Sequence, residues 1–360
     1  MIVFVVILLI AVTWYILRVQ HHYKKSKARP SKLPSLEIDR EVYATGLADG
    51  KLKNPLAEKL VEAMSAYVYD GKSFIHNVLI ALISWWHILV QGQPGTGKTT
   101  LVRTLAQLCA LSSSRIQATP DLLPQDVVGT EIFDPQQKAF VVQYGPLVAH
   151  IIHVDEINRA TPKLQSAFLE AMQEQHISIG THRITLPTPF FVIATQNPYD
   201  SVGTYMLPYA QVDRFMSCVY TSSLSQNEEY KLLASSGNQS LMHQEQNLVP
   251  ILHQEEIQQM QLEVQKVFAD DAILQECVVV MTILRWYGLP LSTRASKSLL
   301  AAAKAWAYLQ WKHNVEKNDL DAVLASVLRH RVSRLVGHTV QDQTIYNMLT
   351  WSAETDDIEA

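Results

Sequence analysis

The chain has 360 residues, of which 48% are apolar, so it is long enough for two or three domains and can bury a sizeable core. A formal net charge of −4, with no basic stripe outside one short segment, weighs against a nucleic-acid motor, because phosphate neutralisation needs clustered Lys and Arg. Cys109, Cys218 and Cys277 are odd in number, far apart and without a CxxC pair, which argues against a disulfide framework or a zinc site and predicts buried free thiols in a reducing compartment.

Residues 1–17, MIVFVVILLIAVTWYIL, carry no charge. As a helix they span about 25 Å, the short end of what crosses a hydrocarbon core. Trp14 and Tyr15 stand where aromatics favour the interface, and Arg18, Lys24, Lys25, Lys27, Arg29 and Lys32 follow, a cluster that stays cytoplasmic. A cleaved signal peptide needs a basic region before the apolar run and a small-residue cleavage site after it, and neither is present. The expectation is a single-pass transmembrane anchor over 1–18 in the inner (cytoplasmic) membrane. A basic linker over 19–50, with Pro30 and Pro34, joins it to a cytoplasmic body.

Short apolar runs at 87–91, 115–118, 151–155, 190–195 and 217–220 then alternate with helical patterns such as 99–110 and 163–174. This predicts an α/β fold over 51–222, a parallel sheet with helices on both faces and ligands at the carboxyl ends of the strands. The first run leads directly into Gly92, Gln93, Pro94, Gly95, Thr96, Gly97, Lys98 and Thr99, followed by Thr100: a GxxxxGK[ST] P-loop between a strand and a helix. Its glycines let backbone N–H groups wrap phosphate oxygens, and the helix adds its positive end. Lys98 supplies charge to the β- and γ-phosphates, and the Thr99 hydroxyl is placed to ligate magnesium. ATP with Mg2+ is the expected pair of ligands.

In His150-Ile151-Ile152-His153-Val154-Asp155-Glu156 an apolar strand ends in two acids, a Walker B pattern. Asp155 is expected to hold magnesium and Glu156 to polarise the attacking water, since phosphoryl transfer needs chiefly positioning and charge stabilisation. His153, an unusual guest in such a strand, is expected to be neutral and hydrogen-bonded. Asn197, just past another apolar strand, is a candidate to orient the lytic water, although an asparagine before a proline is also a common turn residue. Residues 129–144 and 177–186 alternate around Asp134-Pro135 and Gly180-Thr181 as hairpins do.

A helical lid is expected over 223–340. Residues 294–311 form one helix with Leu299, Leu300, Ala303, Trp306 and Leu309 near one face. The next has Asn318 as its cap, an apolar stripe at Leu320, Val323, Leu324, Val327 and Leu328, and Arg329, Arg331 and Arg334 suiting the dipole in its last turns. Residues 341–360 are read as an acidic tail.

RIQATPDLLPQDVVGTEIFD, GPLVAHIIHVDEINRATPKLQSAFLEAMQE, PFFVIATQNP, GTYMLPYAQVDRF and VLRHRV together resemble AAA+ ATPases, and within them the MoxR family, over residues 55–335. The resemblance implies an AAA+ nucleotide-binding domain with a small α-helical lid. It makes Asn197 the sensor 1 residue and Arg294, in Ser292-Thr293-Arg294-Ala295, the sensor 2 residue. Arg214, in Asp213-Arg214-Phe215, takes the place of an arginine finger that acts on a neighbouring subunit's ATP. It further implies a homo-hexamer and chaperone-like action on a protein client or a von Willebrand factor A domain partner, with both hairpins facing a central pore or the substrate. Thr293, Tyr209 and Met206 depart from the family's usual proline, acid and proline, and none of these departures removes a catalytic group. Two other functions stay open at this point: a nucleic-acid-stimulated motor, and a nucleotide-controlled scaffold with little turnover.

Overall fold

The structure, a computed structural model, describes residues 51–68, 72–92, 98–197, 203–221, 248–336 and 342–350, with Leu36, Leu47 and Tyr230 as single positions. The expected anchor over 1–18, most of the expected linker and residues 93–97 of the P-loop lie outside the described residues. Among the described residues no helix is long and apolar enough to cross a membrane.

In chain order, α1 (Pro55–Ser65) and α2 (Lys72–Ile83) precede β1 (His87–Gly92), α3 (Lys98–Leu108) and β2 (Ser113–Gln117). A single turn of helix, α4 (Pro124–Val128), opens onto β3 (Gly129–Asp134) and β4 (Ala139–Tyr144). Then come β5 (Ile151–Asp155), α5 (Pro162–Glu174), β6 (His176–Ile179), β7 (His182–Thr185), β8 (Phe191–Gln196), α6 (Tyr209–Val212) and β9 (Phe215–Thr221). The helices α7 (Gln254–Lys266), α8 (Asp271–Trp286), α9 (Thr293–Leu309), α10 (Lys317–Val336) and α11 (Asp342–Thr350) complete the chain.

The sheet is fully parallel, in the order β2-β5-β8-β1-β9. All five strands overlap the expected runs; β2 begins two residues earlier than expected, at Ser113, and is mostly polar. The three inner strands are buried on both faces, as parallel strands covered by helices must be. One core layer joins a face of the sheet to α5 and the two hairpins, with Phe168, Phe190 and Ile177 among its members. The other joins the opposite face to α1, α2, α3 and the C-terminal helices. α2 is buried at every position from Phe74 to Ile83, because the sheet, α1, α7 and α9 enclose it.

Capping fixes where the helices start. Asn54 Oδ1 accepts the Ala57 N–H at 3.1 Å with Pro55 at the first position, and Asp270 Oδ1 accepts the Ile273 N–H at 2.9 Å. Ser292 Oγ accepts the N–H groups of Arg294 and Ala295 at 3.0 and 3.3 Å.

Both expected hairpins form. β3 and β4 pair from Gly129↔Tyr144 to Asp134↔Ala139. At their tip Asp134 Oδ1 accepts the Gln136 N–H at 2.8 Å, and Phe133 and Phe140 meet edge-to-face at 5.5 Å while remaining 55% and 70% exposed. β6 and β7 turn through Gly180, whose φ is +56°. The two hairpins interlock there: a Cβ on Gly180 would overlap the Glu131 carboxylate of β3, and His182 Nε2 lies 3.6 Å from Glu131 Oε1.

Four expectations change at the C-terminal side and in the linker. α9 stops at Leu309, two residues short of Trp311, which adopts φ +60°. α10 starts at Lys317, so Asn318 lies inside its first turn; the start is closed by Asp319 Oδ2 accepting the Glu316 N–H at 2.9 Å. Residues 342–350, read as part of an acidic tail, form α11 with Ile345 and Leu349 fully buried. Leu36 and Leu47, read as linker, are buried; Leu36 N–H donates to the Leu349 carbonyl at 3.5 Å, and the Leu47 carbonyl lies 2.9 Å from His76 Nδ1. Burying an apolar side chain is favourable even where it stands in a polar run, so these two positions leave water.

Candidate active site

β1 delivers Gly92 and α3 begins at Lys98, so the P-loop joins a buried strand to a helix N-terminus as its motif requires. Lys98 Nζ donates to the Gly92 carbonyl at 2.8 Å, which holds the amine at the root of the loop. Thr99 is exposed and Thr100 half-buried in the first turn of α3.

The carboxyl end of β5 stands two strands away, and parallel pairing brings its neighbours level with it. Gln117 of β2 pairs with Asp155, and Ala194 of β8 with Val154. Asp155 Oδ1 accepts from Thr195 Oγ1 and Oδ2 from Arg115 Nη2, both at 2.7 Å. Burial alone would raise this carboxyl's pKa; the Thr195 hydroxyl and the Arg115 guanidinium outweigh it and hold the group below its ordinary value. Glu156 takes the left-handed conformation, φ 55°, and its N–H donates to Thr195 Oγ1 at 3.0 Å. One hydroxyl thus ties both acids. Glu156 Oε2 accepts from Gln117 Nε2 at 3.0 Å and lies 3.0 Å from Arg159 Nε, while Arg115 Nη2 also donates to Gln117 Oε1 at 2.9 Å.

His153 is neutral, as expected, but not hydrogen-bonded. It is 1% exposed, neither ring nitrogen has a hydrogen-bond partner, and Nε2 stands 4.0 Å from Asp155 Oδ1. Burial first, opposed by Asp155 and assisted by the Arg115 and Lys98 charges, pushes its pKa down to about 4.

Asn197 follows β8 directly, half-buried, with its carbonyl 3.4 Å from Asn158 Nδ2. Its strand pairs with β1, Gln91 opposite Gln196, so the Asn197 position and the P-loop leave neighbouring strands at the same edge. Among the described residues no group of three or more His, Cys, Asp and Glu could hold a metal by itself. A magnesium ion bound through phosphates needs only one or two protein oxygens, and the Thr99 hydroxyl and the Asp155 carboxylate are oxygen donors of the hard kind it prefers.

Arg214 and Arg294 occupy a second neighbourhood. Arg214, between α6 and β9, donates through Nη1 to the Leu169 carbonyl at 2.8 Å, and burial together with the nearby Arg294 charge lowers its pKa. Arg294 Nη1 lies 3.6 Å from Asp213 Oδ2, which also accepts Ser292 Oγ at 2.6 Å. Arg331, expected to suit the dipole in the last turns of its helix, is 0% exposed and faces another element; its Nε donates to Asp213 Oδ1 at 2.8 Å. Sequence reasoning missed Arg115, Gln117, Thr195, Asp213 and Arg331. Only strand register and helix docking bring them to the site, although the Asp-Arg-Phe and Val-Leu-Arg-His-Arg-Val segments were already conspicuous.

The family model described as "ATPase family associated with various cellular activities (AAA)" matches residues 87–217, and that described as "AAA lid domain" matches residues 288–346. The uncharacterized protein YeaC of Bacillus subtilis is 38% identical over 282 residues, which span 78% of this chain and 87% of YeaC. Chaperone MoxR1 of Mycobacterium tuberculosis is 34% identical over 287 residues, spanning 76% of this chain and 75% of the chaperone. A crystal structure of a candidate ATPase from Cytophaga hutchinsonii superposes with a TM-score of 0.73 at 33% identity, covering 82% of this chain and 93% of that one.

Proposed function

The chain belongs to the MoxR family of AAA+ ATPases, and from that premise we propose that it is a membrane-anchored, ring-forming machine that couples ATP hydrolysis to remodelling, assembly or maturation of partner proteins. It is an ATP-binding AAA ATPase of the chaperone-like MoxR type. The finer reading rests on the residues.

In this reading the P-loop from Gly92 to Thr99 wraps the phosphates, with Lys98 released from the Gly92 carbonyl to the β- and γ-phosphates. Thr99 and Asp155 hold magnesium, which offsets charge developing on the phosphates. Glu156 accepts the proton of the attacking water, and Asn197 orients that water. Arg294 closes over the same nucleotide from the lid, whereas Arg214 serves the site of the next subunit in a homo-hexamer. The observation that carries the reading is the Asp155–Glu156 pair, tied by Thr195 at the end of a buried strand beside the P-loop strand's own neighbour.

The client is a protein, reached directly or through a partner with a von Willebrand factor A domain. Support comes from the chaperone named among the relatives and from the exposed aromatic tip of Phe133 and Phe140. The uncharged run 1–17 and the basic cluster after it support an anchor in the cytoplasmic membrane with the ATPase on the cytoplasmic side.

ATP turnover by the purified chain tests the site. Glu156→Gln is expected to lose about a hundredfold or more in kcat, and Arg214→Ala on the order of a thousandfold. Unchanged rates in both would sink the assignment. Membrane fractionation of the full chain against a chain lacking residues 1–18 tests the anchor.

A further inference from the structure

All five N–H donors of the Arg331 guanidinium are engaged, and four of them reach one short segment on another element. Nε meets Asp213 Oδ1 at 2.8 Å. Nη2 meets the carbonyls of Asp213 at 3.2 Å and Phe215 at 2.9 Å. Nη1 meets the carbonyl of Met216 at 2.9 Å and that of Val327, one turn back on its own helix, at 2.5 Å. Met216 is where β9 bulges: His87 pairs with Phe215 and Ile88 with Ser217, so a β9 residue is left over there. Arg331 therefore donates to three backbone carbonyls around the bulge, and His330 Nε2 stands 3.3 Å from the middle one, that of Phe215.

The segment so gripped, Asp213 to Met216, contains Arg214. It is held by the lid a second time, through Ser292 Oγ and Arg294 Nη1 on Asp213 Oδ2. Both carboxylate oxygens of Asp213 thus belong to lid helices, Oδ1 to α10 and Oδ2 to the start of α9. Asp213 is 2% exposed and Arg331 0% exposed, so these bonds act without competing water.

We propose that Arg331, through Asp213, is a positioning residue for Arg214, so that the finger offered to the neighbouring subunit moves with the chain's own lid. Closure of the lid at one ATP site then sets the arginine presented to the next. This rests on the reading of Arg214 as a finger acting in trans. A lysine cannot reproduce the function, because it offers a point charge where five donors in a fixed fork are used.

The experiment mixes subunits of the full chain. Arg331→Lys is expected to bind a fluorescent ATP analogue within about threefold of the parent while kcat falls at least about tenfold, a loss in the transition state rather than in ground-state binding. Glu156→Gln subunits lack turnover of their own but keep Arg214. Mixed with Arg331→Lys subunits they should restore turnover, as they should with Arg214→Ala subunits, because they lend an aligned finger to an intact site. Restoration of Arg214→Ala but not of Arg331→Lys overturns this proposal alone, since Arg331 would then serve only its own site. Restoration of neither overturns the trans finger and the proposal with it. Asp213→Asn, which keeps the volume and one acceptor, is run in parallel; should Arg331→Lys fail to fold, the same two outcomes for Asp213→Asn decide.

Discussion

Arg115 Nη2 donates to Asp155 Oδ2 at 2.7 Å, so a guanidinium already neutralises one side of the carboxylate expected to face magnesium. Arg115 is half exposed, which limits such a pair to about 1 kcal/mol or less. Arg115→Ala should therefore lower the magnesium concentration that half-saturates ATP turnover, by no more than about fivefold. A magnesium titration at saturating ATP reads this; a higher requirement would mean that Arg115 aligns Asp155 more than it competes for it.

Gln117 should matter to chemistry and not to binding. Its amide donates to Glu156 Oε2 at 3.0 Å from the adjacent strand, and the Glu156 backbone is left-handed, φ 55°. Gln117→Ala is expected to reduce kcat about tenfold through misalignment, with ATP affinity unchanged within about twofold. Single-turnover rates beside equilibrium nucleotide binding separate the two.

His87 should make the fold acid-sensitive. Its Nδ1 accepts the Val192 N–H at 3.1 Å and its Nε2–H donates to the Met172 carbonyl at 3.0 Å, so the neutral ring bridges β8 and α5. Burial, only partly offset by the Met172 bond, lowers its pKa to about 4. As pH falls below about 6.5 the unfolded chain takes up the proton first, so stability present above 6.5 drains away toward pH 4. Between pH 7 and pH 5 this one residue should remove about 2 kcal/mol. Urea unfolding at the two pH values checks it, and His87→Leu, less stable at pH 7 for want of both bonds, should show a correspondingly smaller acid loss.

Gly145 admits no side chain. A Cβ there would overlap the Val127 carbonyl and crowd the Gly129 N–H, both backbone atoms that cannot step aside. Gly145→Ala should cost about 2 kcal/mol or more by forcing apart the base of the β3–β4 hairpin. A thermal melt lowered by less than a degree would show that the hairpin base yields freely.

What was legible in the sequence follows from period and adjacency. β1, β5 and β8 announce themselves because a strand buried on both faces is a continuous apolar run, and the P-loop is contiguous in the chain. Arg115 and Gln117 were silent, since β2 is an edge strand with polar side chains and only its parallel register with β5 sets them beside the acids. Arg331 misled: cationic residues late in a helix ordinarily suit its dipole, and nothing local betrays that this one faces a bulge in β9. The same holds for His153, where burial is readable from its strand but the lack of a partner depends on what packs around it.

The contact of Glu131 with the Gly180 turn has a mechanical meaning. A lone two-stranded ribbon bends under load, so a pull on Phe140 would be spent in flexing it. With Glu131 set against the Gly180 turn and His182, part of such a load would pass into β6 and β7. The segment between β7 and β8 is itself pinned, because Gln254 and Gln258 of α7 both donate to the Thr188 carbonyl at 2.7 Å. Contacts therefore run from that turn toward β8, which carries Thr195 and leads directly into Asn197. Gly180→Ala would displace the Glu131 carboxylate while leaving each hairpin paired, and, on the proposal of a protein client, should weaken remodelling of that client more than ATP turnover.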